Sequence, residues 1–331
     1  APEADPEPRP PALPPKKGEP VIALQMATRH PRRTWPLGAF TRLAALLVKR
    51  LGATIWLLGS KSEIHLGKAL MDGLNPAQRE RVVNLQGRTG LMELGARLKD
   101  AHLLISGDTG TLHLGAALGT RAIGVFLGPA SCFETGPYGE GHYVFQAEPP
   151  CHPCAEAGPP CADPFCQAMI PLEAVADLAV SLILGHGGSP SSLPAGVRLY
   201  RSSFDALGVS YAPQGAGLRC LDLLGLAYRR AGAKLLGLPW PKSGPSFLAL
   251  SQDDGRNLEK LSAALRNGSG GGLLSPGLPQ ALTPLWAFWE ELRRQAPSGG
   301  DKGAAEAYFE TVKQGLRVAL EEWQAAGTPR V

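Results

Sequence analysis

From Val21 onward the chain alternates short, nearly unbroken apolar runs with longer segments whose apolar residues recur at helical spacing. The runs are Val21-Ile22-Ala23-Leu24, Ala53-Thr54-Ile55-Trp56-Leu57-Leu58, Val82-Val83-Asn84-Leu85, His102-Leu103-Leu104-Ile105-Ser106 and Ala122-Ile123-Gly124-Val125-Phe126-Leu127. Between and after them lie Phe40/Leu43/Leu47/Leu51 behind Pro36, Ile64/Leu66/Leu70, Leu91/Leu94/Leu98 with Thr89 as N-cap, Thr111 to Leu118 ending at Gly119, and Val175/Leu178/Leu182/Ile183. A strand that is apolar on both faces must be covered on both faces, and helices between strands are the usual crossovers of parallel pairing. The expected fold is therefore α/β, with a Rossmann-like parallel sheet between helical layers.

The sheet pattern does not fill the chain. Residues 1–20 are rich in Pro, Glu and Lys and read as a linker or extended arm continuing from something before it. Residues 21–186 form the α/β domain, with a Cys-rich insertion at 151–166, and 187–196 read as a second linker. Residues 197–331 read as a smaller, mainly helical extension that opens with a hairpin from Val197 to Tyr211. Helices are expected at about 217–236, 253–267, 279–295 and 303–326, with Trp286, Phe288, Trp289, Tyr308 and Trp323 as core residues. The pairs Arg229-Arg230 and Arg293-Arg294 read as solvated faces.

A net charge of +4 suits an anionic partner but falls short of the loading of a nucleic-acid binder, so no nucleic acid is expected. No run of 18 apolar residues is present, so no membrane-spanning helix is expected, and Ala1-Pro2-Glu3 does not resemble a secretory signal.

The chemistry concentrates at Ser106-Gly107-Asp108-Thr109-Gly110-Thr111-Leu112-His113, where a strand ends and a helix begins. A helix N-terminus leaves backbone N–H groups unpaired and favours an anion. Gly110 lets the backbone approach a phosphate, and the Thr109 and Thr111 hydroxyls can donate to one. The plainer alternative is that Asp108 or Thr109 merely caps the helix.

Further segments join this one in order. They are Arg33-Thr34-Trp35-Pro36, Gly59-Ser60-Lys61-Ser62-Glu63, Asn84-Leu85-Gln86-Gly87-Arg88-Thr89, Gly128-Pro129 and Thr135-Gly136-Pro137-Tyr138-Gly139. Over about residues 20 to 186 the set resembles the C-terminal half of glycosyltransferase family 9, the ADP-heptose:lipopolysaccharide heptosyltransferases and their relatives.

The resemblance implies a GT-B architecture, in which two Rossmann-like domains face a cleft and the C-terminal one holds a nucleotide-diphospho-sugar. It implies inverting transfer, with ADP-heptose as donor and a lipid-linked glycan of the lipopolysaccharide core as acceptor. No cofactor is required for transfer. The expected location is cytoplasmic, with peripheral contact at the inner face of the cytoplasmic membrane.

By the same resemblance, Asp108, Thr109, Gly110, Thr111 and His113 meet the donor's diphosphate and sugar. Arg33 stands where relatives have a phosphate-binding Lys, and Glu63 faces the ribose. Each has an ordinary alternative: Arg33 as a solvated neighbour of Arg32, Glu63 as a helix-start carboxylate, His113 as a packing histidine.

Two departures stand out. Leu24-Gln25-Met26-Ala27-Thr28 replaces the His-Pro-Gly loop of many relatives, and Thr111-Leu112 replaces Pro-Met or Leu-Ser before the histidine. The aspartate that acts as general base in the family's acceptor domain is expected outside this chain, which reads as the donor-binding part of a longer enzyme. The alternatives are a non-catalytic nucleotide- or glycan-binding module and a partner-recruiting scaffold.

Cys151, Cys154, Cys161 and Cys166 fall within sixteen residues. Four such sulfurs could hold a structural zinc or an iron–sulfur cluster, remain free thiols, or pair as disulfides. On any of these readings their role is structural.

Overall fold

The computed structural model describes residues 18–152, 154, 161, 163–186 and 192–215, with the single positions 222, 229, 233, 237 and 238. The expected helices at 253–267, 279–295 and 303–326, the aromatic residues placed in them, Arg293-Arg294 and nearly all of 217–236 lie outside the described residues.

The five expected strands form as β1 (Val21–Gln25), β2 (Thr54–Leu58), β3 (Val82–Asn84), β4 (Leu103–Ser106) and β5 (Ala122–Phe126). A sixth, β6 (Tyr143–Ala147), was not anticipated and is buried along its whole length. The helices are α1 (Leu37–Leu51), α2 (Ile64–Asp72), a short α3 (Pro76–Arg79), α4 (Leu91–Asp100), α5 (Gly110–Ala117), a short α6 (Cys132–Thr135) and α7 (Leu172–Leu184). The N-cap of α4 is Gly90, one residue beyond the expected Thr89, and no side chain bonds there.

The sheet order is β3-β2-β1-β4-β5-β6, followed by β7 (Val197–Asp205) and β8 (Gly208–Pro213), and every pairing from β3 to β6 is parallel. This is the doubly wound order, whose direction of winding reverses between β1 and β4. The two faces carry separate apolar layers. Ile22 and Leu24 of β1 pack with Phe40, Leu43 and Leu47 of α1 and Val175, Leu178 and Leu182 of α7. Ala23 faces the other way, into a layer with Leu98, Leu104, Leu112 and Phe126. The period-two alternation of strand side chains thus feeds both layers.

The expected domain boundary needs correction. β7 (Val197–Asp205) pairs antiparallel with β6, and β8 (Gly208–Pro213) closes the sheet beyond it. Residues 197–213 form the expected hairpin, but they extend the α/β sheet instead of opening a helical region. Val197, Leu199 and Tyr200 are buried, and the pairing covers the edge that β6 would otherwise present. The compact α/β unit takes in residues up to Phe204 and again Val209–Gly215.

A second unit comprises Asp205–Gly208 and the residues from Ala216. Within it Arg229, expected on a solvated face, donates from Nε and Nη2 to the two carboxylate oxygens of Asp205, each at 2.6 Å. Two parallel bonds to one carboxylate form the bidentate geometry that only a guanidinium offers.

Candidate functional site

The carboxyl ends of β1 and β4 flank the point where the winding reverses, and connections leaving adjacent strands in opposite directions open a crevice there. After β1 the chain makes a 3-10 turn at Pro31–Arg33, held by His30, which accepts from Arg33 N at 2.8 Å. The Thr28 hydroxyl donates to His30 O at 2.7 Å and lies 2.9 Å from the Thr34 hydroxyl. This turn delivers Arg33 to the crevice.

From the other side, β4 delivers Asp108. Arg33 Nη1 donates to Asp108 Oδ2 at 2.5 Å, and the two side chains are only 16% and 6% exposed. The Thr135 hydroxyl donates to the same oxygen at 3.0 Å, and His113 Nε2 lies 3.8 Å from Oδ1. That last distance is an electrostatic contact and not a hydrogen bond. Burial pushes the Asp108 carboxyl up, but the His113 contact, the Thr135 hydroxyl and the Arg33 charge outweigh it, so the group is held below its usual value.

Thr109 is the N-cap of α5. Its hydroxyl oxygen accepts from Leu112 N at 3.4 Å and lies 2.9 Å from the Ser106 hydroxyl. The Thr111 hydroxyl donates to Gln25 Oε1 at 3.3 Å. Both hydroxyls therefore have partners within the protein. The first N–H groups of the helix, at Gly110 and Thr111, fall outside the intrahelical ladder, and a helix N-terminus of this kind favours an anion.

Glu63 sits in a capping box. Ser60 donates to its Oε1 from the hydroxyl at 2.8 Å and from the backbone at 3.2 Å, and Gln25 Nε2 donates to Oε2 at 2.8 Å. The helix-start role is thus realised. A carboxylate has lone pairs beyond these, so further hydroxyl donors are still accommodated.

The structure brings Arg33, Asp108, His113 and the first turn of α5 together, and links Glu63 to them through Gln25. Gln25 went unassigned in the sequence. Between Leu58 and Ser106 in register, it bridges Glu63 after β2 to Thr111 in α5. A buried polar residue closing an apolar strand was the available signal.

Tyr211 left no such signal. Its hydroxyl donates to Pro137 O at 2.6 Å, and a Cβ on Gly136 would stand 2.3 Å from that hydroxyl and 2.4 Å from Cys132 O. Burial drives the Tyr211 phenol well above its usual value, so it stays a donor. In this way β8 fastens the Thr135–Gly139 loop, and with it the Thr135 hydroxyl on Asp108.

Behind the Pro31–Arg33 turn lies a small cavity of about 30 Å³ lined by Cys151, Cys154, Cys161, Cys166, Arg32 and Gly128. Arg32 Nη1 donates to Cys154 Sγ at 3.6 Å, and Gln167 Nε2 donates to Pro31 O at 2.8 Å. Gly128 has φ +58°, and a Cβ there would lie 2.8 Å from Arg32 O, so only glycine lets these two loops meet. These four cysteines form no disulfide. Among the described residues, no three His, Cys, Asp or Glu side chains gather closely enough to hold a metal ion as placed. Also among the described residues, no helix is long and apolar enough to cross a membrane.

The sheet order defines a doubly wound α/β domain, a class whose ligands bind at the winding reversal, where the Arg33–Asp108 pair sits. The family follows from comparison with known proteins. Residues 3–162 match the model of glycosyltransferase family 9 (heptosyltransferase), and the chain carries a domain of that family. The lipooligosaccharide heptosyltransferase 2 of Haemophilus ducreyi is 30% identical over 108 residues, 32% of this chain and 31% of that protein. Its namesake in Haemophilus influenzae is 30% identical over 107 residues, 32% of this chain and 30% of that protein. The chain thus spans about a third of the length of the curated relatives it matches. The solved Escherichia coli ADP-heptose LPS heptosyltransferase II shares 20% identity at a TM-score of 0.43, over 52% of this chain and 48% of that one, a level that adds nothing to the assignment.

Proposed function

We propose that the crevice between β1 and β4 holds the diphosphate of a nucleotide-sugar donor, ADP-heptose, for inverting transfer to a lipid-linked glycan of the lipopolysaccharide core. The observation that carries this reading is the convergence of Arg33, Asp108 and the first turn of α5 at the winding reversal. Asp108 holds the Arg33 guanidinium at the crevice, where its positive charge and the Gly110 and Thr111 N–H groups attract phosphate oxygens. In the transfer, these donors stabilise the charge that grows on the leaving diphosphate. Glu63 accepts from ribose hydroxyls on the far side of Gln25. The base that takes the acceptor's proton belongs to an acceptor-binding domain in the GT-B arrangement, and the work of these residues is to bind and orient the donor.

Calorimetry with ADP tests the site. A charge-assisted contact contributes about 1.5–3 kcal/mol, so Arg33→Ala and Asp108→Ala are each expected to weaken ADP binding about ten- to a hundredfold. Unchanged affinity in both variants, with the fold intact, refutes the assignment.

A further inference from the structure

We propose that Cys151, Cys154, Cys161 and Cys166 bind one soft divalent metal ion of the zinc class in the cavity behind the Pro31–Arg33 turn. The sequence supplies two knuckles, Cys151-x2-Cys154 and Cys161-x4-Cys166, and both spacings lie within the C-x2–4-C range of tetrahedral thiolate sites. The fold brings both knuckles to one cavity of about 30 Å³, room for a single ion and not for a second side chain.

One sulfur already receives a donor of the kind thiolate ligands need: Arg32 Nη1 reaches Cys154 Sγ at 3.6 Å, and Gly128 and Cys166 line the same cavity. N–H groups aimed at ligating atoms orient them and balance their charge. As placed, the sulfurs ring the cavity without closing on one point. Deprotonated together without a metal, four sulfurs would repel one another; a central divalent cation offsets that repulsion, and the thiol protons leave as it binds. All-sulfur ligation selects a soft, tetrahedral ion over magnesium or calcium.

The ion would act as a fastener. The cysteine segment meets the Pro31–Arg33 turn at Arg32 and through Gln167, so closing the knuckles fixes that turn from behind.

The test uses the full chain, purified reduced and without chelator. Elemental analysis is expected to find about one zinc per chain. Cobalt added to the stripped chain should give an intense thiolate-to-cobalt charge-transfer band that zinc abolishes. The Cys151→Ser/Cys154→Ser double variant should lose both signals, and in it amide exchange over residues 28–34 should quicken while exchange in β4 stays unchanged. Less than about a tenth of an equivalent of metal, together with no charge-transfer band in the unaltered chain, overturns the proposal. So does a disulfide among these cysteines in the reduced protein, or an iron–sulfur chromophore in place of a single ion.

Discussion

The Arg33–Asp108 pair can be isolated energetically from the rest of the fold. Replacing Asp108 with Asn keeps the volume and one carbonyl oxygen but removes the charge. Removing one member of a buried ion pair costs about 3–5 kcal/mol when the partner is left fully desolvated. Here Arg33 retains 16% exposure and Asn keeps an acceptor, so the expected loss is about 2 kcal/mol. The pair joins β1 to β4, so the loss should appear as about 30-fold faster exchange of the slowest β1 and β4 amides at neutral pH. Arg33→Met alone should cost a similar amount. The double variant should cost little more than either single one, a coupling of about 2 kcal/mol. Costs that add to within about 0.5 kcal/mol would show that the two side chains do not act as a pair. The pH dependence has a fixed sign. The folded Asp108 lies below its ordinary 3.8, so the stability it contributes is present above that value and lost as the pH falls through the folded one. The gap between the unaltered chain and Asp108→Asn therefore holds at neutral pH and closes in acid.

Two further outcomes follow from residues outside the crevice. Tyr211→Phe leaves Pro137 O without its donor and should cost about 1–2 kcal/mol, read as faster amide exchange in residues 135–139; unchanged exchange there would show that β8 does not hold the loop. His142 is lowered from 6.5 to about 4 by burial, with a smaller push from Arg121, so the unfolded chain binds a proton that the folded one refuses between those values. Stability should fall as the pH drops from 6.5 to about 4, and His142→Gln should flatten that slope in urea titrations; an unaltered slope would place the dependence elsewhere.

What the sequence disclosed and what it withheld divide along one physical line. The strands of the parallel core announce themselves because burial on both faces leaves an unbroken apolar run, as in Leu103-Leu104-Ile105, and their crossovers because a covering helix must repeat at 3.6 residues, as in Phe40, Leu43 and Leu47. These are local consequences of local environments. Arg33 and Asp108, 75 residues apart, were legible only through the order of several motifs, since no periodicity links a turn after one strand to a turn after another. Long-range partners outside any motif left no trace. Tyr211 bonds across 74 residues to Pro137, and nothing around it marks a hydroxyl with a buried acceptor. The same holds for the hairpin: its two strands were expected, but its place on β6 depends on an edge that exists only once the sheet is assembled. That placement bears on the site. Because β8 holds the loop that supplies the Thr135 hydroxyl, the geometry at Asp108 is set from two directions, by the winding reversal at β1 and by the antiparallel end of the sheet. A change in the hairpin should thus be felt at the crevice without any contact to a ligand there.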